Sequence, residues 1–177
     1  MTFTVDTHHH ILPDFFWQAT EKGGDPVGGI APPPWSRASA LSFLDDAGID
    51  VAVTSISTPG VHTGDDAAAR LLARQCNELA AEMIRDRPDR YAGFACLPLP
   101  DVDGALAELA YALDDLRLDG ILLFSNVRGV YLAQKPQLQV GSDHAAGRAN
   151  HSRQPPGDRP SPPPISRHLA PLLTPRR

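Results

Sequence analysis

The chain has 177 residues, of which 42% are hydrophobic and 21% charged, and its formal net charge is −5. No apolar run approaches the roughly 20 residues that cross a membrane, so no membrane partner is expected. The acidic balance also argues against a nucleic-acid partner. The N-terminus lacks the pattern of a secretory signal. Cys76 and Cys96 are expected to be buried thiols, and a reducing cytoplasm is the expected location.

The sequence of residues 1–131 predicts alternating strands and helices. A long Gly- and Pro-rich loop is expected at residues 20–35. Ser36 is the expected N-cap of the first predicted helix, and Gly48 is its expected C′ residue. In chain order, the predicted elements are a strand at 3–8, a helix at 36–47, a strand at 50–57, a helix at 65–87, a strand at 91–97, a helix at 103–116 and a strand at 120–124. This order predicts an α/β fold with a parallel sheet.

The helix predicted at residues 65–87 has the clearest apolar pattern. Asp65 and Asp66 suit the positive N-terminal end of a helix, and Pro88 marks its end. Residues at helical spacing form a stripe that is expected to face the core. The stripe comprises Leu71, Leu72, Cys76, Leu79, Ala80, Met83 and Ile84.

The composition changes sharply near residue 131. Residues 1–131 hold 9 Lys+Arg and 19 Asp+Glu, whereas residues 132–177 hold 7 and 2, together with 9 of the 18 prolines. Such a segment buries too little apolar surface to offset its ordering entropy, so residues 132–177 are predicted to be a disordered tail. Its loss of pattern also suggests a frameshifted product. Basic, Pro-rich tails can bind partners, but no motif here favours that reading.

The VDTHHH segment of the first strand carries most of the functional information. Because a strand alternates its faces, Asp6, His8 and His10 are expected on one side, and Thr7 and His9 on the other. Two imidazoles at this spacing can share one divalent metal ion. Asp6 could join the metal or orient a ligand by hydrogen bonding. Alternatively, the three histidines are a tag remnant or ordinary buried residues.

Four stretches together resemble the amidohydrolase-related family that includes aminocarboxymuconate-semialdehyde decarboxylase and related aromatic-acid decarboxylases. They occur in the family's order and cover nearly all of residues 1–132. The stretches are VDTHHHILPDFF, FLDDAGIDVAVTSISTPGVH, CNELAAEMIRDRPDRYAGFACLPLPDVDGALAELAYALDDL and DGILLFSNVRGVYL.

The resemblance implies an α/β fold that is the first half of a (β/α)₈ TIM-type barrel. It also implies one divalent metal, with Zn²⁺ expected and Mn²⁺ or Fe²⁺ as alternatives. The implied reaction is decarboxylation or hydrolysis of a small carboxylated, aromatic substrate. No Lys follows the fourth strand, where the sequence is FSN, and this favours a single metal over a bridged pair.

The family also uses a His after its fifth strand, an acid/base His after its sixth and an Asp after its eighth. The strand pattern here ends after the fourth, which predicts a catalytically incomplete chain. A noncatalytic fragment, or a metal-binding or interaction remnant, is therefore the alternative interpretation. Exposed edges of a half-barrel would favour self-association.

Four further residues are candidates for substrate binding. His62 follows the second strand and could contact a carboxylate, although a loop histidine is more often solvated. Asn126 could contact substrate or metal-bound water, or could be a turn residue that caps the fourth strand. Arg37 and Trp35 could bind an anionic ring by charge and stacking. A surface arginine and a packing tryptophan are the alternatives.

Overall fold

The computed structural model describes residues 2–21, 33–127 and 130–131, in which a parallel sheet carries helices on one face. The elements are, in chain order, β1 (Val5–Ile11), α1 (Asp14–Thr20), α2 (Arg37–Asp46), β2 (Val51–Ile56), α3 (Asp66–Asp86), β3 (Tyr91–Ala95), α4 (Val102–Ala110), a π-helical turn (Tyr111–Asp115), β4 (Gly120–Ile121), β5 (Asn126–Val127) and β6 (Val130–Tyr131).

The main sheet has the order β1-β2-β3-β4, and each neighbouring pair is parallel. One face packs against the helices, where Ala52 and Ile56 of β2 join the main apolar core. The other face carries a smaller buried cluster that includes Val51, Val53 and Ala92. The strand–helix order confirms the predicted α/β fold, because successive parallel strands require a crossover.

Helix α3 is the longest of the described helices and lies at the centre of the core. Asp65 is its N-cap and accepts a hydrogen bond from the backbone N–H of Ala68 at 2.7 Å. The predicted stripe is mostly buried, but Leu71 is 68% exposed and was wrongly assigned to it. Successive residues of a helix point about 100° apart. Because Leu72 faces the core, its neighbour Leu71 points away from the core and toward solvent.

Ser36 is the N-cap of α2, as predicted. Its side chain accepts from the backbone of Ser39, whose hydroxyl in turn accepts from the Ser36 backbone. Gly48 follows the helix with φ 65°, the left-handed conformation expected of a C′ glycine. Both ends of this helix were therefore predictable from residues that satisfy orphan backbone groups.

A buried polar cluster joins α3, β3 and α4. The side-chain amide of Asn77 donates to the carbonyl of Cys96 at 3.0 Å and to Glu108 at 2.8 Å, and its oxygen accepts from the Cys96 N–H at 2.9 Å. Glu108 also accepts from Arg74 at 2.9 Å. These contacts fix the end of β3 relative to both helices. The Cys76 and Cys96 thiols are free and buried, as predicted.

Several elements differ from their predicted bounds. The short helix α1 and the β5–β6 hairpin were not predicted, β4 has only two residues, and the last helix ends in a π-helical turn. Residues 22–32 of the predicted loop and the whole predicted tail, 132–177, lie outside the described residues, so the boundary near 131 remains a prediction. Within the described ranges, no helix combines the length and apolarity that a membrane crossing needs.

Candidate metal centre and a pocket at the same sheet edge

Two imidazoles meet at the carboxyl-terminal part of β1. The Nε2 atoms of His8 and His10 are 3.0 Å apart, and their rings lie edge to face with centroids 4.7 Å apart. This is the pair that the sequence predicted as metal ligands. In a parallel α/β sheet this edge is where ligands commonly bind.

His10 is held from its other side by β2. Its Nδ1 lies 3.1 Å from the hydroxyl of Ser55. Burial lowers the pKa of His10 below its ordinary value, and the neighbouring His8 lowers it further. Both effects favour the neutral imidazole, which is the form that binds metal ions. When the Nδ1–H donates to this hydroxyl, Nε2 carries the lone pair that can bind a metal ion.

The spacing of the two Nε2 atoms suits adjacent positions around one metal ion. Two metal–nitrogen bonds of about 2.1 Å at a right angle separate their nitrogens by about 3.0 Å. Nitrogen donors of this kind fit Zn²⁺, Mn²⁺ or Fe²⁺. Across residues 2–21, 33–127 and 130–131, no group of three or more His, Cys, Asp or Glu side chains could hold a metal ion. In the described part of the chain, the His8 and His10 pair is therefore the candidate ligand set.

Asp6 does not face the histidine pair, and the predicted alternation of faces is wrong here. Asp6 pairs with Ala52 and His9 with Thr54, so β1 has one residue more than β2 between these points. This β-bulge brings Asp6 and His9 to one face, with Asp6 Oδ2 and His9 Nδ1 3.2 Å apart. Asp6 Oδ1 accepts from the backbone N–H of His8 at 2.9 Å.

A cavity of about 300 Å³ opens at the same edge of the sheet. The segments that follow β2, β3 and β4 form it, and their side chains give it mostly apolar walls with a few polar groups. Its lining includes His62, Asn126, Leu97, Leu99 and Phe124. The structure therefore brings together two of the four predicted substrate-binding residues, His62 and Asn126.

His62 is engaged on both ring nitrogens. Its Nε2 lies 2.7 Å from Asp66 Oδ1, and its Nδ1 accepts from the backbone N–H of Gly64 at 3.2 Å. Its side chain is only 4% exposed. The ring therefore holds the loop to the start of α3, and a substrate carboxylate would have to displace one of these partners. The alternative of a solvated loop histidine is wrong, because the side chain is buried.

Arg37 and Trp35 lie away from the cavity. Arg37 makes ion pairs with Glu82 and with Asp86, the latter at 3.0 Å, both on α3. Trp35 packs against the main core, and its indole N–H has no partner among the described residues. Neither residue lines the cavity. The structure therefore supports the alternative interpretation of both, because the charge of Arg37 is already neutralised.

Three features were not identified from the sequence. Ser55 lies opposite His10 across the sheet, and a hydroxyl at the end of the VAVTSI strand was the available signal. His9 lies on the helix side, with its ring 6.1 Å from that of Phe43. Gly60 has φ +80°, and an added Cβ there would lie 2.9 Å from the Phe124 ring. This glycine therefore allows Phe124 to approach the loop after β2.

Comparison with known proteins gives concordant sequence matches. The family model described as "Amidohydrolase" matches residues 5–170. The 6-methylsalicylic acid decarboxylase acuB of Aspergillus aculeatus is 40% identical over 124 residues, which are 68% of this chain and 37% of that protein. Gamma-resorcylate decarboxylase of Rhizobium sp. is 37% identical over 84 residues, 47% of this chain and 26% of that protein. The chain thus spans 37% of the first of these relatives and 26% of the second.

Solved structures share the fold. An amidohydrolase II, Northeast Structural Genomics target LpR24, superposes with a TM-score of 0.74 at 28% identity, covering 82% of this chain and 47% of that one. The 2,6-dihydroxybenzoate decarboxylase from Rhizobium superposes with a TM-score of 0.59, also at 28% identity, covering 78% and 45%. The β1–β4 sheet and its helices therefore correspond to under half of a TIM-type barrel.

Proposed function

Since the chain belongs to the amidohydrolase family, we propose that it contributes part of the metal site of a decarboxylase that acts on small aromatic carboxylic acids. The observation that carries the proposal is the approach of the His8 and His10 Nε2 atoms to 3.0 Å at the ligand-binding edge of the sheet. Its relatives include decarboxylases of 6-methylsalicylic acid and gamma-resorcylate, which favours decarboxylation over hydrolysis.

Each residue of the site has a distinct part in this proposal. His8 and His10 would hold one divalent ion through Nε2, and Ser55 would keep the His10 ring in the required orientation. When bound, such an ion acts as a Lewis acid that orients a substrate carboxylate or activates water. Asp6 would act through its hydrogen bonds and not as a ligand. Manganese, which is bound in a dihydroxybenzoic acid decarboxylase of Polaromonas sp. with the same fold, is a candidate alongside zinc.

The cavity after β2, β3 and β4 would receive the ring of the substrate. A volume of about 300 Å³ is at the lower end of the range for small-molecule sites. Leu97 and Leu99 offer apolar contact to a ring, and the Asn126 amide offers hydrogen bonds to ring hydroxyls. A single-ring acid is therefore the substrate class that fits this cavity.

Metal binding by the 177-residue chain tests the first half of the proposal. Mn²⁺ titration followed by electron paramagnetic resonance is expected to show one site in the wild-type chain. That site should be lost in His8→Ala and in His10→Ala. His62→Gln is the matched histidine control at the same sheet edge and should retain the metal. Equal Mn²⁺ binding by wild type and both alanine variants would refute the site.

Substrate binding and turnover test the second half. Release of CO₂ from 6-methylsalicylate and 2,6-dihydroxybenzoate measures decarboxylation, and ligand titration by NMR measures binding alone. Metal binding with ligand binding but no turnover would favour the alternative of a noncatalytic part of the enzyme, because the described residues supply only two donors. Binding of neither acid would contradict the proposed substrate class.

A further inference from the structure

The bulge in β1 contains a side chain that hydrogen-bonds to the backbone of the bulge itself. A bulge takes an extra residue out of the strand ladder, so a backbone group nearby needs another partner. The extra residue lies between Asp6 and His9. The Asp6 carboxylate accepts from the N–H of His8 at 2.9 Å, so it satisfies a backbone donor within the bulge itself.

The same carboxylate is held by His9. Its second oxygen lies 3.2 Å from His9 Nδ1, and the His9 side chain is only 11% exposed. The ring of His9 lies against that of Phe43 on α2. One carboxylate thus connects a backbone amide of the bulge with a mostly buried imidazole that also lies beside a ring of α2.

The bulge determines which way His10 points. His10 pairs with Ser55 and Val5 with Val51, and these β2 partners share a face, so His10 and Val5 do too. In a regular strand, residues 5 and 10 would face opposite sides. Loss of the bulge would therefore turn His10 away from Ser55 and toward the helices, because a shift of one residue reverses every side chain beyond it.

From this arrangement we propose that Asp6 and His9 are positioning residues, which hold the β1 bulge so that the imidazoles of His8 and His10 lie side by side. The inference rests on the proposed metal site and assigns that site two residues that do not touch the metal. Neighbours of metal ligands that orient them typically change metal affinity by about 10- to 100-fold when removed.

Amide exchange tests the bulge without any metal. In the wild-type chain, the His8 amide is expected to be protected from hydrogen exchange measured by NMR. Asp6→Ala should remove that protection, whereas Asp6→Asn keeps an acceptor oxygen and should retain most of it. Thr7→Ala, an exposed change within the same bulge, is the matched control. Equal His8 protection in wild type and Asp6→Ala would overturn the proposal.

Co²⁺ binding tests the consequence for the histidine pair. Asp6→Ala and His9→Phe are expected to weaken Co²⁺ binding by about 10- to 100-fold and to change its visible absorption spectrum, with Thr7→Ala unchanged. Circular dichroism must show that each variant is folded. Unchanged affinity and spectrum in both variants would overturn the positioning role. A wild-type chain that binds no Co²⁺ would instead refute the metal site, and amide exchange would then decide the bulge alone.

Discussion

The buried polar cluster around Asn77 and the histidine pair at the carboxyl-terminal part of β1 differ in how their hydrogen-bonding groups are used. In the cluster, the Asn77 side-chain amide contacts the backbone N–H and C=O of Cys96 and the carboxylate of Glu108, all within the core. At β1, two Nε2 atoms face each other with room for one proton between them. A buried network whose hydrogen bonds are all formed specifies packing. Two adjacent imidazole nitrogens can in addition bind a metal cation through their lone pairs. The first region is therefore structural and the second is suited to binding.

Replacement of Asn77 by Ala should give the largest loss of stability. It removes four hydrogen bonds and leaves the backbone and thiol of Cys96 and one oxygen of Glu108 without this partner. Orphaned buried groups of this kind cost about 3–4 kcal/mol of unfolding free energy in total. Urea unfolding followed by circular dichroism measures the difference.

The matched control is Gln75→Ala, an exposed position on the same helix. Its effect should stay within about 0.5 kcal/mol. Similar losses in the two variants would mean that the polar cluster does not carry the stability assigned to it. The contrast between a structural network and a binding site would then fail.

Gly104→Ala should be the next largest effect. An added Cβ would lie 2.2 Å from Asp101 Oδ2 and 2.6 Å from Arg70 Nε. It would displace the N-cap of α4 and its ion pair with Arg70, at a cost of about 2 kcal/mol. Gly48→Ala is the control, because nothing lies within 4 Å there and only its φ of +65° is strained; about 1 kcal/mol is expected. A larger loss at Gly48 would contradict the steric argument.

The sequence predicted features that depend on local periodicity and failed where distant contacts decide. The strand–helix order, the Ser36 cap and the His8–His10 pair follow from residues within a few positions of each other. The faces of Asp6 and His9 do not, because a bulge is defined by the register with β2. Alternation applied strictly to β1 therefore misplaced Asp6.

Ser55→Ala should weaken metal binding without a large loss of stability. It removes the hydroxyl beside His10 Nδ1, so the His10 ring is free to rotate, and metal affinity should fall about tenfold. The stability change should stay below about 1.5 kcal/mol, since one hydrogen bond is lost. Isothermal titration with Mn²⁺ gives the affinity, with Ser57→Ala as the control two residues along the chain. Equal affinities of the two variants would exclude an orienting role for Ser55.

Arg37 illustrates why candidate substrate residues were harder to predict than the metal pair. Its ion-pair partners lie 45 and 49 positions away in sequence, and nothing near Arg37 in the chain indicates them. From the sequence alone, the charge of Arg37 was therefore predicted to be available to an anionic substrate. In the fold, two carboxylates of α3 pair with it.

Arg37→Ala should give the smallest effect and separates the two interpretations of this residue. As a surface ion pair with 41% exposure of the arginine side chain, it should contribute less than about 1 kcal/mol to stability, and less still at high salt. Thermal unfolding at low and high NaCl measures this, and Glu82→Gln should reproduce part of it because it removes one of the two ion pairs of Arg37. Binding of 6-methylsalicylate, followed by NMR, should be unchanged in both variants. Loss of ligand binding in Arg37→Ala but not in Glu82→Gln would return Arg37 to the substrate site, since only the guanidinium, and not the ion pair, would then be required.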